Sequence, residues 1–419
     1  MHKFMIAGGS HLKGTVRASG SKNATLPVLA ASILNAGKSV IKEVPGLVDV
    51  SVMKDVLVHL GARVSCEKDV VEVDSSDIQP VEISEELMRR MRASNLVLGS
   101  LLGRFGYVKI SYPGGCQIGS RPMNLHLKGL QMLGATIHEK YGYIIAEAKR
   151  LTGADIHLDL PSVGATENLM MAAILADGVT TIRNVAKEPE LVCLQNYLNS
   201  IGGHVMGAGT DTLKIEGVHL SDLKPAACTV IPDRIEAGTY IVAAAITGGD
   251  VTVVNVIPEH LDPLLAKLRE AGVNIAVGAN DVRVLGNGKV KAVDIKTMPY
   301  PGFPTDMQPQ MMALLSLAEG TSVITETIFE NRFKHVGELQ RMGADIKVEG
   351  RTAIIKGVNR LSGANVEASD LRAGAALVLA AMAADDNSLL DNVEHIDRGY
   401  DQLEDKYNAL GARIIRINN

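Results

Sequence analysis

LQMLGATI, residues 130–137, reads as a helix that stops and a strand that starts. Leu130 and Leu133 lie three apart, on one face of a helical turn, and Gly134 supplies the left-handed residue that ends it. Thr136 and Ile137 then open a β-branched run. The same string recurs as LVHLGARV at 57–64, LNSIGGHV at 198–205, LREAGVNI at 268–275, LQRMGADI at 339–346 and YNALGARI at 407–414. Its glycines, Gly61, Gly134, Gly202, Gly272, Gly343 and Gly411, stand about 70 residues apart. A spacing that regular marks an internal repeat.

A second signature runs out of phase with the first. Six helices of small apolar residues end in a turn and a Thr-, Val- or Ile-rich strand, as in ENLMMAAILADGVTTI at 167–182 and QMMALLSLAEGTSVI at 310–324. Turn glycines are expected at Gly37, Gly106, Gly178, Gly249 and Gly320, with Asp386-Asn387 in the sixth copy. Helices apolar all round are buried ones. The fold class is therefore α/β, with six repeated βα units around buried central helices, three units to a domain and a boundary near residue 230.

The 419 residues, 46% hydrophobic and 21% charged, suit a globular protein of two or three domains. Aromatic residues are only 3% and Trp is absent, so the cores must be aliphatic. A net charge of -5 gives no positive field for nucleic acid, and few rings are available for base stacking. Cys66, Cys116, Cys193 and Cys228 form neither a close pair nor a ligand set with histidine, so no metal is expected and a reducing compartment is. With no secretory signal and no apolar run long enough to span a bilayer, a cytoplasmic protein without membrane insertion is expected.

Candidate functional residues collect just before the buried helices: Lys22-Asn23, Arg92, Ser162-Val163-Gly164, Asp233-Arg234, Asp306 and Asp370-Leu371-Arg372. Helix N-termini present unpaired N–H groups that suit phosphate and carboxylate. Asp and Ser are also ordinary caps there. Cations are not, and Lys22, Arg92, Arg234 and Arg372 imply a bound anion. A further candidate is Cys116 in SYPGGCQIGSRPMNLH at 111–126, a glycine-rich loop with Arg121 five residues on. A thiol beside a cation is a usable acid or nucleophile. Cys66, Cys193 and Cys228 read as small buried hydrophobes.

With these strings in view, the sequence resembles the UDP-N-acetylglucosamine 1-carboxyvinyltransferases of the enolpyruvyl transferase family along essentially its whole length. The resemblance is carried by SGSKNATLPVLAA at 19–31, PGGCQIGSRP at 113–122, PSVGATEN at 161–168, PDRIEAGT at 232–239, FPTDMQ at 303–308, ENRF at 330–333, SDLRAGAAL at 369–377 and HIDRGYDQLEDK at 395–406. It implies two inside-out α/β barrel domains: residues 22–229, carrying the Cys116 loop, and residues 1–21 with 230–419. It also implies transfer of enolpyruvyl from phosphoenolpyruvate to the 3′-hydroxyl of UDP-N-acetylglucosamine, without metal or cofactor, as the first committed step of peptidoglycan synthesis.

Residue by residue, the resemblance implies that Lys22, Arg121 and Arg398 hold the donor phosphate and that Arg372 and Arg332 support the anionic intermediate. Asn23, Arg92, the segment Arg121, Pro122, Met123, Asn124 and Leu125, then Ser162, Val163, Gly164, Asp306 and Ile328 would bind the UDP-sugar. Asp306 would take the hydroxyl proton and Cys116 would protonate the donor methylene, with Lys22, Asp370 and Arg398 completing the catalytic set. A Cys acid also implies sensitivity to the epoxide fosfomycin. Val48, Leu96 and Leu160 stand where some members carry Lys, Trp and Lys. Two alternatives share the scaffold: 5-enolpyruvylshikimate-3-phosphate synthase, which lacks the Cys loop, and a non-catalytic UDP-sugar-binding paralogue, which intact Lys22, Cys116, Arg121, Asp306, Asp370, Arg372 and Arg398 argue against.

Overall fold

The computed structural model describes residues 2–112, 118–119, 122–286 and 289–418, without the side chains of Arg92 and Asn418. Over those residues the chain divides into two compact units. One takes the chain up to Ser19, residues 118–119 and everything from Pro232; the other takes Gly20 to Tyr112 and Pro122 to Ile231.

All six helix-ending glycines adopt positive φ, between 88° and 108°. Each is followed by the expected strand: Arg63–Glu67, Thr136–Lys140, His204–Met206, Asn274–Val277, Asp345–Glu349 and Ile414–Asn418. The second signature gives the buried helices Lys22–Ala31, Val97–Phe105, Val163–Ala173, Arg234–Ile246, Gln308–Leu315 and Leu371–Ala383. Five of them are almost wholly buried beyond their first turns, while Val97–Phe105 is buried through Leu102 and half-buried in its last turn. One expectation shifts by a residue: in the fourth repeat Gly248 takes positive φ, not Gly249. Gly249 is needed for space instead, because a Cβ there would lie 2.3 Å from the Leu12 carbonyl oxygen. Cys193 is buried as expected and Cys228 is half-buried, but Cys66 is exposed, on the outer strand Arg63–Glu67.

Each repeat contributes one sheet, four-stranded in five cases and three-stranded in the second repeat. In five of them the strand after the buried helix lies inside, with an antiparallel neighbour on one side and a parallel strand on the other, as Val179–Arg183 pairs with Thr212–Glu216 and with Asp155–His157. In the sheet of Tyr107–Ser111 the parallel neighbour is reduced to a single bridge between Ile83 and Ile110. Distant parts of a unit lend strands to complete the plan. Ala227–Thr229 pairs in parallel with Lys38–Lys42, and Lys13–Arg17 with Asp250–Val254. In the sixth sheet His2–Ile6 lies between Ser388–Asp391 and Ile414–Asn418, filling the place that a hairpin strand fills elsewhere. Among the described residues the strands form six separate sheets, so the barrel character lies in sheets set around helices and not in a closed hydrogen-bonded ring.

Each unit has one hydrophobic core, built from its three central helices and the inward faces of its sheets. Small residues let those helices approach at backbone distance. At Gly99 an added Cβ would sit 2.1 Å from the Asn168 carbonyl oxygen, and the Gly99 N–H donates to Asn168 Oδ1 at 2.7 Å. His335, 1% exposed, lies in the unit that ends the chain. Burial lowers its pKa from 6.5 to about 4; the Arg332 charge adds to the shift, while the Asp370 carboxylate opposes it.

Two outcomes are expected from these features. Gly99→Ala should destabilise the fold by about 1–3 kcal/mol, because the clash is with backbone that no rotamer change relieves. Gly337→Ala, in a helix with open space at that position, should be neutral or stabilise by about 0.5–1 kcal/mol. Denaturant unfolding of the two variants distinguishes the cases. For His335, the unfolded chain binds the proton more readily than the native one, so stability is complete above pH 6.5 and lost as pH falls towards 4. The loss should be on the order of 3 kcal/mol, and a His335→Asn chain should lack that part of the pH slope.

Candidate active site

In the Gly20–Ile231 unit, one short turn links the helix starts singled out from sequence. The 3-10 turn Arg92–Leu96 packs against both Lys22–Ala31 and Val163–Ala173. Ser21 caps the first helix, accepting from Ala24 N–H at 3.3 Å, so Lys22 and Asn23 project from its first turn. Lys22 Nζ lies 3.3 Å from Asp49 Oδ2, a mostly buried pair. Asp49 carried no signal in the sequence beyond its place in the first turn of Val48–His59.

Ser162 caps the helix Val163–Ala173, accepting from Ala165 N–H at 3.4 Å. The segment after Arg121 is drawn to this cap. Pro122 and Asn124 are exposed, Leu125 is half-buried, and Met123 is buried with its sulfur 3.0 Å from Asn95 Nδ2. His126 Nδ1 meets Asn168 Nδ2 at 3.0 Å, and a Cβ at Gly164 would be 3.2 Å from His126 Cε1. Gly164 thus permits the close approach of His126, which stood in the sequence only as the last residue of the string at 111–126. Val48 and Leu160 are exposed, whereas Leu96 is buried. Cys116 and Arg121 lie outside the described residues, as does the Arg92 side chain.

In the other unit the decisive feature is Asp306. It lies in the 3-10 turn Thr305–Met307, which leads into the helix Gln308–Leu315. Its Oδ1 accepts from Arg332 Nη2 at 2.8 Å, and its Oδ2 accepts from Arg372 Nε at 3.2 Å and Nη2 at 3.1 Å. Both arginines are buried, while the Asp306 side chain remains 26% exposed. Arg332 Nε is also buried and, among the described residues, has no hydrogen-bond partner. Buried charge is tolerated only where it is paired, and a spare guanidinium N–H favours a further anion.

Burial works against the Arg372 charge, but Tyr400, Asp306 and Asp233 outweigh it, so its pKa is raised and it stays protonated. Its guanidinium carbon lies 5.4 Å from the Tyr400 ring centroid. Burial in turn raises the Tyr400 pKa, keeping the phenol neutral. Asp370 and Asp233 both prove to be caps: Asp370 Oδ1 accepts from the N–H groups of Arg372 and Ala373 at 2.9 and 3.0 Å, and Asp233 Oδ1 from Ile235 and Glu236 at 2.8 and 3.0 Å. Arg372 is therefore explained in part by a carboxylate of the chain itself, as Lys22 is by Asp49. Arg234 lies over the Tyr300 ring, 5.6 Å from its centroid. Arg398 closes the turn Val393–Arg398, which packs on the helix Leu371–Ala383.

Ile328 is placed by a residue the sequence did not single out. Buried Glu326 accepts from Ile328 N–H at 2.8 Å, and its carboxylate also receives the Thr305 hydroxyl beside Asp306. Among the described residues no group of three or more His, Cys, Asp and Glu is placed to hold a metal ion, and no helix is long and apolar enough to cross a membrane.

Residues 6–407 match the family described as EPSP synthase (3-phosphoshikimate 1-carboxyvinyltransferase). The chain is 55% identical over 414 residues to UDP-N-acetylglucosamine 1-carboxyvinyltransferase 1 of Caldanaerobacter subterraneus subsp. tengcongensis, covering 99% of each. It is 55% identical to the protein of the same name in Carboxydothermus hydrogenoformans, over 100% of this chain and 99% of that one. Among solved structures it is similar to the enolpyruvyl transferase NikO from Streptomyces tendae, with TM-score 0.90 and 27% identity over 100% of this chain and 99% of the other. EPSP synthase from Acinetobacter baumannii, at TM-score 0.78 and 18% identity with both chains covered in full, shares the fold. Matched along nearly its whole length, the chain belongs to the EPSP synthase family of enolpyruvyl transferases, on the branch of relatives named UDP-N-acetylglucosamine 1-carboxyvinyltransferase.

Proposed function

We propose that the protein transfers the enolpyruvyl group of phosphoenolpyruvate to the 3′-hydroxyl of UDP-N-acetylglucosamine, releasing inorganic phosphate. The observation that carries this reading is Asp306 held between two buried arginines in a chain 55% identical, end to end, to relatives bearing that activity's name. By this reading the protein acts in the cytoplasm, in peptidoglycan precursor synthesis, and so in cell shape and division.

The chemistry assigns each group a task. Protonation of the donor methylene turns the neighbouring carbon electrophilic, so the reaction needs an acid, and Cys116 takes that role. The sugar hydroxyl attacks that carbon and gives its proton to Asp306. The tetrahedral intermediate carries both phosphate and carboxylate, and fixed guanidinium groups stabilise it. Arg372 and Arg332 act on the intermediate, while Lys22, Arg121 and Arg398 hold the phosphate and Asp370 secures the helix start that presents Arg372. Loss of a methyl proton then restores the double bond as phosphate departs. Asn23, Arg92, residues 122–125, Ser162, Val163, Gly164 and Ile328 hold the UDP-sugar. No metal or organic cofactor enters the scheme.

Phosphate release should require UDP-N-acetylglucosamine, and turnover with shikimate 3-phosphate in its place would overturn the assignment in favour of the rival synthase. Cys116→Ser should lower kcat by at least about 100-fold, the range of general acid catalysis, because an alcohol is too weak an acid. A near wild-type rate would remove Cys116 from the mechanism. Fosfomycin should inactivate the protein by opening of its epoxide at the Cys116 sulfur, read as a mass increase that Cys116→Ser abolishes.

A further inference from the structure

We propose that Glu326 is a positioning residue, one buried carboxylate that sets the Asp306 turn and the Ile328 backbone in register for the acceptor substrate. Glu326 follows the strand Thr321–Thr325 and is 1% exposed. Its Oε1 accepts from the Thr297 hydroxyl at 2.8 Å, from Ile328 N–H at 2.8 Å and from Phe329 N–H at 3.2 Å. Its Oε2 accepts from the Thr305 hydroxyl at 2.9 Å. Three separate stretches of chain thus meet on one side chain.

The geometry closes a ring. Thr305 is the neighbour of Asp306, and Asp306 bonds to Arg332. The Arg332 guanidinium lies 5.8 Å from the Phe329 ring centroid, and the Phe329 N–H returns to Glu326. A second layer stiffens the same corner, since Thr327 N–H donates to Thr297 Oγ1 at 2.9 Å and the Thr327 hydroxyl donates to the Thr297 carbonyl at 2.5 Å. Backbone N–H groups are obligatory donors, and burial makes an unmet donor costly. Removing the carboxylate strands two of them and releases the Thr305 anchor. A small misplacement of a reacting group costs rate steeply, so a support of this kind acts on the acceptor side of the reaction.

The inference rests on reading Asp306 as the group that receives the hydroxyl proton, and the test separates the two ideas. The measurements are kcat and the KM of each substrate, by phosphate release, for Glu326→Ala, Glu326→Gln, Thr305→Val and Asp306→Asn. Glu326→Ala should raise the KM for the UDP-sugar and lower kcat, each about tenfold or more, with the phosphoenolpyruvate KM changed less than about threefold. Glu326→Gln should stay within about threefold of wild type, because its carbonyl oxygen still accepts the backbone N–H groups and its amide can donate to the Thr305 hydroxyl. Thr305→Val breaks the Oε2 contact alone and decides the matter if Glu326→Ala does not fold; a raised KM for the UDP-sugar is expected. Unchanged constants in Glu326→Ala or Thr305→Val, or equal losses for both substrates, would overturn the positioning role. Asp306→Asn at a wild-type rate would instead remove the base, while the effects on the UDP-sugar KM would still report on Glu326.

Discussion

Two buried guanidinium groups sharing one carboxylate is the constraint on which the rest of the site depends. Arg332 and Arg372 are both out of water, and two such charges could not remain there without a counter-charge. Asp306 supplies it, and the three side chains fix one another. Because Asp306 keeps an edge towards solvent while the arginines do not, the cluster is one-sided, with a reachable carboxylate backed by fixed positive charge. Arg332 Nε is buried and, among the described residues, has no hydrogen-bond partner. A free guanidinium N–H of this kind suits the anionic intermediate of the proposed reaction.

The fold exists to bring helix starts to such places. Three central helices in each unit carry the candidate residues at their N-terminal ends, where Ser21, Ser162, Asp233 and Asp370 satisfy the first N–H groups. Those helices pack closely because glycine and alanine stand where side chains would collide, as at Gly99 against Asn168. Around them the sheets are completed by strands from far along the chain. His2–Ile6 in the sixth sheet is the clearest case, since without it Ser388–Asp391 and Ile414–Asn418 would not be joined.

Much of this was legible in the sequence because it is repetitive and local. A glycine after a helical run has one conformational reason to be there, and all six helix-ending glycines adopt it. The second signature erred only at Gly249, where a second glycine, Gly248, could serve the turn and Gly249 meets a steric need set by a strand more than two hundred residues earlier. Cys66 was misplaced for a related reason: its face is decided by its sheet's outer position, which the local pattern does not encode. The family strings drew attention to Asp306, Arg332 and Arg372, but nothing in their spacing told that the carboxylate bonds to both arginines. Asp49, His126, Asn168 and Glu326 went unread because each acts through partners distant in sequence. A buried Glu at the end of a β-branched strand looks like any other polar residue until the loops that fold onto it are known.

The most direct test of the central claim is a double-mutant cycle on folding stability with Asp306→Asn, Arg372→Met and the pair together. Asp306→Asn leaves two buried cations short of their counter-charge, whereas the double variant removes one of those cations as well. The account predicts strong non-additivity, with a coupling energy on the order of 2 kcal/mol between the two sites. Effects that add within about 0.5 kcal/mol would contradict it, showing that the carboxylate and the guanidinium do not hold each other in place.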